Sequence, residues 1–341
     1  MFSPVEDSDR RCRPHSSPGA LACVAVLGLL CAGCPALESL PTQARVMEMT
    51  EKQTELPYLL YVPSTYSADV AWPLVVACHG TWPWDIADRQ MREWARFAES
   101  KGIIVVAPKL FGTKGDFPPP AEKQIDRQRR DEKAILAIVS SVKRQYNIAE
   151  EQVFMTGWSA GAYAILHTGL RNPDVFRALA IRQGSFEPSF MDVPSGRIDP
   201  WQKILVIYGM ADFLRDQSKA MLAWLRDNGL HPDEKEVTGS HRRLDPNVPW
   251  QYFREVVKKY PWLRLRCHAV DSAAPLTVQF YVDAIPGAKR QKWFFGDGSE
   301  SYEASPLHTY AKSGRYEVTV NIALEGGKKY SRRRIIRVRP F

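Results

Sequence analysis

The sequence feature that most restricts the fold is a serine between two glycines, placed where an apolar strand meets a helix. Residues 153–164 read VFMTGWSAGAYA, which predicts a short strand at 153–155, a tight reversal around Ser159 and a helix from Ala160. A side chain at either flanking glycine would collide with the neighbouring strand or helix. The reversal lifts the Ser159 hydroxyl above the end of a sheet and aims the first N–H groups of the helix at it. The segment therefore predicts a nucleophilic serine.

A serine hydroxyl needs a general base to take up its proton, and that base needs an acceptor to set its tautomer. We assign His241 as the base, because it lies in a Gly/Ser loop after the last strand of the alternating part. Asp212 is the predicted acceptor, because it follows a buried apolar strand at the same edge of the sheet as Ser159. His231 and Asp216 are the alternatives, although His231 precedes the last strand and Asp216 falls at a helix start, where capping accounts for it.

The loop after the apolar run 73–78 predicts a second part of the same site. It begins His79-Gly80-Thr81 and, in a sheet of this kind, supplies a backbone N–H for the oxyanion that forms during acyl transfer. We assign the N–H groups of Thr81 and Ala160 to this role, and we assign His79 to holding the loop. An apolar or aromatic acyl pocket beside them is predicted to be lined by three tryptophans, Trp82, Trp84 and Trp158.

Strand and helix patterns alternate through residues 54–265. Continuous apolar runs are typical of strands covered on both faces, and apolar residues spaced by three and four are typical of the helices between them. The predicted strands are 59–63, 73–78, 103–106, 153–155, 178–181, 204–208 and 234–237, and the predicted helices are 89–100, 127–146, 160–170, 217–228 and 250–259. In the second helix, apolar residues from Ile135 to Tyr146 form the inner face, and the charge run 127–133 is interpreted as a solvated outer face. This alternation predicts an α/β fold with a doubly wound, mostly parallel sheet, whose ligands bind at the carboxyl ends of the strands.

The first 34 residues are predicted to be an export signal rather than part of the fold. Three arginines precede an apolar run at 21–32, which has the length of a signal-peptide core and is short for a membrane span. The residues LCAGC at 30–34 resemble a bacterial lipobox, with Cys31 in place of the usual leucine, and this resemblance implies lipidation of Cys34. Cleavage with release and an uncleaved anchor are the alternatives. Residues 35–53 predict a polar tether, so we expect a secreted or cell-envelope protein.

Residues 266–341 change to an all-β pattern. Alternating strands are predicted at 276–282, 291–295, 315–322 and 330–338. The motifs WFFGDGS at 293–299, HTY at 308–310 and YEVTV at 316–320 occur in this order and resemble the PKD-type (polycystic kidney disease) β-sandwich. The resemblance implies a small all-β accessory domain, in which Asp297 and His308 have structural roles.

Residues 54–260 resemble the α/β-hydrolase esterases of the polyhydroxybutyrate depolymerase and feruloyl or acetylxylan esterase type. The matching pieces are YVP at 61–63, PLVV at 73–76, HG at 79–80, GWSAG at 157–161, GMAD at 209–212 and GSH at 239–241. The chain order Ser159, Asp212, His241 is the order of the triad in that fold. Two departures are Ala162, where a glycine often follows the motif, and Thr81-Trp82, where small or cysteine residues are often seen.

Cysteine usage and charge bear on cofactors and partners. No cysteine or histidine cluster has zinc spacing, and a Ser-His-Asp hydrolase uses no metal or organic cofactor, so none is expected. Cys78 is expected to be a small buried apolar residue.

The net charge is +8, and residues 267–341 carry twelve Lys/Arg against seven Asp/Glu, which is +5. This basic face predicts either contact with an acidic polysaccharide or anionic surface, or only solubility and edge protection. No nucleic-acid motif is present, and membrane contact is expected only through a lipid on Cys34.

The sequence therefore predicts an exported serine carboxylic-ester hydrolase that acts through an acyl-enzyme. The resemblance implies polymer-linked substrates, either acyl esters of polysaccharides or polyesters. Two alternatives stay open. One is a serine peptidase of the same fold, although such peptidases generally carry an added propeller or lid domain. The other is a non-catalytic cell-surface binding protein that retains the fold.

Overall fold

A computed structural model describes residues 46–114, 119–193, 198–270 and 276–339. The predicted export signal at 1–34 and the first part of the predicted tether, 35–45, lie outside the described residues. Among the helices of the described ranges, none has the length and apolar character needed to cross a membrane.

An eight-stranded sheet forms the centre of the larger domain. Its strands are β1 (Val46–Thr50), β2 (Pro57–Tyr61), β3 (Trp72–Cys78), β4 (Ile104–Pro108), β5 (Ile148–Trp158), β6 (Ala178–Arg182), β7 (Lys203–Gly209) and β8 (Asp233–Val237). They are arranged in the order β1-β2-β4-β3-β5-β6-β7-β8. The pairs β1/β2 and β2/β4 are antiparallel, whereas every pair from β4 to β8 is parallel. The carboxyl ends of the parallel strands therefore meet at one edge.

Helices cover both faces of this sheet. They are α1 (Ala87–Lys101), α2 (Ala121–Gln145), α3 (Gly161–Ala164), α4 (Arg215–Asp227) and α5 (Asn247–Lys259), and a π-helical turn, Ile165–Gly169, continues α3. The side chains of β3 alternate between two cores, which makes the strand apolar throughout. Val75 and Ala77 pack in the core that contains α1 and α5, whereas Leu74 and Val76 pack in the core that contains α2, α3 and α4. This arrangement confirms the predicted doubly wound α/β fold.

Two small antiparallel sheets form the C-terminal domain. Their strands are β9 (Trp262–Ala269), β10 (Thr277–Ile285), β11 (Ala288–Phe294), β12 (Glu300–Ser301), β13 (Leu307–Thr309), β14 (Gly314–Leu324) and β15 (Lys329–Val338). One sheet has the order β13-β10-β9 and the other β12-β11-β14-β15. Aromatic side chains fill the space between them, among them Phe280, Trp293, Phe295 and Tyr310. The predicted all-β sandwich is thereby confirmed, and its first strand, β9, crosses the predicted boundary at residue 265.

The structure corrects the predicted tether at its end. Residues 46–50, assigned to the tether, form β1 and pair with β2 from Val46↔Tyr61 to Thr50↔Pro57. The strand lies at the edge of the sheet, and its residues alternate between exposed and half-buried positions. An edge strand buries little apolar surface, so its sequence carries only a weak strand signal.

Part of the predicted basic face is engaged within the chain. Arg334 lies on β15, and its Nη1 is 3.0 Å from Asp174 Oδ2 of the larger domain. Arg332 donates from Nε to the Leu263 carbonyl at 3.2 Å and lies 3.8 Å from Asp199 Oδ2. Two of the arginines expected to face an anionic surface therefore hold β15 against other parts of the protein.

Candidate active site

Strand β5 places Ser159 at the carboxyl edge of the larger sheet. Ser159 is 7% exposed and has φ +54°, a left-handed conformation that is uncommon outside glycine. A Cβ at Gly161 would lie 2.8 Å from the backbone oxygens of Cys78 and His79, so the strand β3 and the start of α3 approach too closely for a side chain. The strained turn predicted around the serine is therefore present, with the backbone strain typical of functional sites.

His241 and Asp212 form a hydrogen-bonded pair at the same edge. The His241 Nδ1 lies 3.0 Å from Asp212 Oδ1 and 3.2 Å from Oδ2. The Asp212 side chain has no exposed surface, while that of His241 is 12% exposed. The backbone N–H of Leu214 also donates to Asp212 Oδ1, at 2.8 Å. A carboxylate acceptor at Nδ1 leaves Nε2 of a neutral imidazole as the free acceptor.

Two aromatic rings pack against the His241 imidazole. Trp158 is stacked on it, with ring centroids 4.7 Å apart and planes inclined by 25°. Phe213 lies at the same centroid distance with an inclination of 57°. Trp158 directly precedes Ser159, so this stacking links the histidine to the serine turn. Phe213 was not found from the sequence; its position next to Asp212 was the only available signal.

Gln183 holds the loop that carries His241. Its side chain is completely buried, and the residue has φ +50° at the end of β6. Its Nε2 donates to the carbonyl of Ser240 at 2.9 Å, and its Oε1 accepts from the N–H of Arg242 at 2.7 Å. One amide thus bonds to the residues immediately before and after His241. The sequence around Gln183 carries no motif that would have indicated this role.

The loop after β3 lies against the serine. An added Cβ at Gly80 would be 2.9 Å from the Trp158 ring and 3.2 Å from the Cβ of Ser159. His79 is buried, its Nδ1 lies 2.8 Å from the Gly80 carbonyl, and its Nε2 accepts from the N–H of Leu110 at 3.0 Å. Burial lowers the pKa of His79, so its ring is neutral at pH 7 and carries its proton on Nδ1. The ring holds this loop, as expected from the sequence.

The two predicted oxyanion donors are both unpaired. Among the residues that the structure describes, neither the backbone N–H of Thr81 nor that of Ala160 has a hydrogen-bond acceptor. The Thr81 carbonyl accepts from the N–H of Asp85 at 2.9 Å, which closes a turn at this loop. One of these groups lies in the loop after β3 and the other belongs to the residue directly after Ser159, so both are available to a ligand.

A buried carboxylate joins the loop after β3 to the histidine loop. Asp85 has no exposed surface, and its Oδ2 accepts from the Gly80 N–H at 2.7 Å and from Gln90 Nε2 at 2.9 Å. Its Oδ1 accepts from Arg243 Nη1 at 2.8 Å. The Arg243 guanidinium also lies 5.7 Å from the ring centroid of Trp158. The contact between Asp85 and Arg243 connects residues 158 positions apart in the chain, and no motif in the sequence indicates it.

Arg182 continues this network beneath the serine. Its completely buried guanidinium donates from Nη1 to Glu93 Oε1 at 2.5 Å and from Nη2 to Gln90 Oε1 at 2.5 Å. Its backbone carbonyl accepts from the N–H of Ser159 at 3.1 Å. Burial raises the pKa of Glu93, although the neighbouring arginine opposes the shift. The end of β6 is therefore tied to both α1 and the serine turn.

The structure separates the three predicted pocket tryptophans. Trp84 and Trp158 line one cavity of about 940 Å³ together with His241. Trp82 instead lines a second cavity of about 720 Å³ together with His79 and Phe111. The backbone N–H of Trp82 donates to the Thr113 carbonyl at 2.8 Å, which draws this residue toward the other loop. The prediction that Trp82 shares the acyl pocket with the other two is corrected accordingly.

The alternative base lies away from this edge. His231 is exposed and precedes β8, so it stands at the opposite end of that strand from the loop of His241. Asp216 lies in the first turn of α4, while Asp212 is the carboxylate that contacts the imidazole. The structure thus brings together the preferred pair and not the alternatives.

Cys78 is an apolar core residue, as expected. It is completely buried and free, and Cys267 is also free. Burial raises the pKa of the Cys78 thiol, which keeps it protonated. Within the described ranges, no group of three or more His, Cys, Asp or Glu side chains is arranged to hold a metal ion.

Two family models match the sequence. The model described as "Putative esterase" matches residues 50–274, well over half of the 341 residues, and the PKD domain model matches residues 265–338. The chain belongs to this esterase family. The match confirms the resemblance to an esterase followed by a PKD domain, and with it the enzyme class, an esterase.

Several solved structures are similar to the esterase domain. A CE1 ferulic acid esterase from Anaeromyces mucronatus, in complex with ferulic acid, is 18% identical, with a TM-score of 0.50 and coverage of 62% of this chain and 88% of that one. A "putative dipeptidyl aminopeptidase IV" from Bacteroides ovatus is 15% identical, with a TM-score of 0.48 over 63% of this chain, which spans only 35% of that protein. An S-formylglutathione hydrolase (FrmB) from Staphylococcus aureus is 16% identical, with a TM-score of 0.46 and coverage of 63% and 95%. No curated protein matches the sequence.

Proposed function

We propose that Ser159, His241 and Asp212 form a catalytic triad that hydrolyses carboxylic esters through an acyl-enzyme. The observation that carries the proposal is the hydrogen bond from His241 to the buried Asp212, beside a tryptophan that directly precedes Ser159. The left-handed backbone of Ser159 supports it, because a nucleophile between strand and helix has this kind of strained turn.

In this proposal each group has one chemical task. Ser159 Oγ attacks the ester carbonyl carbon, and its proton passes to His241 Nε2. Asp212 accepts the Nδ1–H and stabilises the imidazolium that forms. The unpaired N–H groups of Thr81 and Ala160 donate to the carbonyl oxygen as it becomes an oxyanion. Each such donor is worth about 3–4 kcal/mol in the transition state of related reactions.

The acyl-enzyme is then resolved by the same groups. The imidazolium gives its proton to the leaving alkoxide, which departs as an alcohol. His241 next takes a proton from water, and the resulting hydroxide attacks the acyl carbon. The second tetrahedral intermediate collapses to the carboxylic acid, and the His241 imidazolium returns its proton to the Ser159 oxygen as that oxygen leaves.

Substitution of the serine tests the proposal. A fluorophosphonate probe should label the wild-type protein and not Ser159→Ala, whereas Ser185→Ala is a matched control because Ser185 is also buried and its N–H bonds to the Ser159 carbonyl. With p-nitrophenyl acetate, Ser159→Ala and His241→Ala should lower kcat by about 10⁴-fold or more. His231→Ala should keep its activity. A folded wild-type protein that is neither labelled nor active on esters would refute the proposal.

We also propose that the enzyme is exported and acts on polymer-linked esters. The apolar run 21–32 followed by Cys34 supports export, and the exposed indole of Trp84, 69% accessible, supports a site open to large substrates. Acetyl, feruloyl and hydroxybutyrate esters should be compared, free and polymer-linked, beside aminoacyl anilides that report peptidase activity. Faster cleavage of anilides than of esters would favour the peptidase alternative.

Palmitate incorporation that is lost in Cys34→Ser would identify the lipidated form. Absence of palmitate from the wild-type protein would reject lipidation of Cys34.

A further inference from the structure

The cavity that contains His241 is rich in arginine. Five of its eleven lining residues are arginines, and two are acidic, Glu93 and Asp245. The arginines are Arg89, Arg92, Arg96, Arg242 and Arg243. The lining therefore carries a net charge of five minus two, or +3. Because the cavity reaches the imidazole of the proposed triad, a ligand in it would lie next to the reacting ester.

Most of this positive charge is not neutralised. Arg243 pairs with Asp85, and Glu93 pairs with Arg182. The other four arginines of the lining are Arg89, Arg92, Arg96 and Arg242. In the described part of the chain, none of their guanidinium groups forms an ion pair with a carboxylate. Asp245 uses Oδ1 to accept the N–H of Asn247 at 2.8 Å. Unpaired guanidinium groups favour the binding of carboxylate, phosphate or sulfate groups.

Three of the unpaired arginines share one face of a helix. Arg89, Arg92 and Arg96 lie on α1 at intervals of three and four, which places their side chains one above another. All three are exposed. Like charges at these spacings repel one another and destabilise an isolated helix. A bound anion would reduce this repulsion.

We propose that the ester substrate carries an anionic group, which the row of arginines on α1 binds beside the triad. This inference rests on the proposed function and adds the substrate class. Trp84 and Trp158 line the same cavity and supply aromatic surface for the part of the substrate between the anion and the ester. The anion belongs either to the acyl part or to the alcohol part of the ester, and two substrate pairs distinguish these cases.

Matched substrates isolate the contribution of the charge. For the alcohol side, 4-acetoxybenzoate is compared with its methyl ester. For the acyl side, 4-nitrophenyl hydrogen terephthalate is compared with methyl 4-nitrophenyl terephthalate. The para geometry prevents intramolecular catalysis by the carboxylate, and the rates with free imidazole correct for intrinsic reactivity. We expect the corrected kcat/KM of the wild type to favour the anionic member of one pair.

The variant Arg92→Gln/Arg96→Gln tests the source of this preference. Exposed ion pairs contribute up to about fivefold each, so the ratio of kcat/KM for the anionic to the neutral ester should fall by about fivefold to twentyfold. The control is Arg144→Gln/Arg254→Gln, which removes the same charge from exposed positions on α2 and α5 and should leave the ratio unchanged. Because the Debye length shortens from about 10 Å at 0.1 M salt to about 3 Å at 1 M, the wild-type preference should also shrink in high salt.

The outcomes separate this inference from the proposed function. Turnover of neutral esters that depends on Ser159, with no preference for either anionic ester, would overturn the anionic substrate class and leave the esterase function standing. An equal fall of the ratio in the control variant would overturn the role of α1, because net charge alone would then be responsible. A folded wild-type protein that cleaves none of the four esters would overturn both proposals.

Discussion

Gln183 offers the sharpest test of how the fold positions the proposed base. Its amide bonds to the Ser240 carbonyl and to the Arg242 N–H, so it fixes the loop on both sides of His241. The substitution Gln183→Leu keeps a side chain of similar volume and removes both hydrogen bonds. We expect it to destabilise the protein and to let the imidazole move away from its productive position.

The size of each effect follows from these two contacts. A typical hydrogen bond contributes about 1 kcal/mol to the free energy of unfolding, so the loss of both should cost about 2 kcal/mol. For a domain of this size, that change lowers Tm by about 4–8 °C. A displacement of about 1 Å in a catalytic group costs on the order of 100-fold in rate, so kcat should fall by about that factor while KM changes little.

A second buried glutamine provides the matched control. Gln202 is 5% exposed, and its Nε2 donates to the carbonyls of Gly169 at 2.9 Å and Phe176 at 3.2 Å, away from the histidine loop. Gln202→Leu should show a comparable loss of Tm in calorimetry and keep its kcat with p-nitrophenyl acetate. If Gln183→Leu loses stability like the control yet keeps kcat within about twofold, Gln183 does not position His241 for catalysis.

Three further predictions concern buried groups. Asp85→Asn should lower the free energy of unfolding by about 3–5 kcal/mol, because it breaks a buried charged contact. The control Asp88→Asn, at an exposed position in the first turn of α1, should cost about 1 kcal/mol or less, and equal losses in urea unfolding would contradict the prediction. Burial raises the pKa of Asp131 to about 7, from an ordinary 3.8. The folded state therefore binds a proton that the unfolded chain has lost, and the free energy of unfolding should fall as pH rises from about 4 through 7, by up to about 4 kcal/mol. Asp131→Asn should flatten this dependence of the unfolding free energy on pH. An unchanged profile in the variant would show that Asp131 is not its source. Gly161→Ala should prevent folding or abolish activity, because its Cβ would lie 2.8 Å from two backbone oxygens. The control Gly287→Ala, at a position with open space, should behave as the wild type. A Gly161→Ala protein that is soluble and active would contradict the close approach of the two backbones.

Buried regular elements were predictable from their own residues. The parallel strands β3, β4 and β7 are covered on both faces, so each is a continuous apolar run that periodicity detects. The edge strands β1 and β9 were missed, because strands with one exposed side carry mixed residues. Helix α2 begins at Ala121, directly after Pro120 and ahead of the charge run 127–133 with which the predicted helix starts, because its first turn is polar and carries no apolar periodicity.

The charge run at 127–133 shows why burial is hard to read from charge. The pattern favours a solvated surface, yet Asp131 and Gln128 are both buried. Asp131 accepts the N–H groups of Phe111 at 2.8 Å and Gly112 at 2.7 Å, and Gln128 donates to the Phe190 carbonyl at 2.9 Å. Their partners come from loops whose course depends on the completed fold, so a polar residue in a charged run gives no local sign of its burial.

The sequence by itself determined the fold class, the esterase family and the three residues proposed as the triad. Each of these depends on features that are local in the chain: apolar runs, a glycine-bounded serine, and polar residues directly after strands. Only the tertiary structure decided which groups hold those residues in place, namely Gln183 behind the histidine loop and Asp85 between that loop and the one after β3. It also decided that Trp82 lines a different cavity from Trp84 and Trp158, and that five arginines line the cavity of His241. The physical reason is that these contacts join residues far apart in sequence. They form, and stabilise the protein, only after the folded sheet has brought the strand ends together.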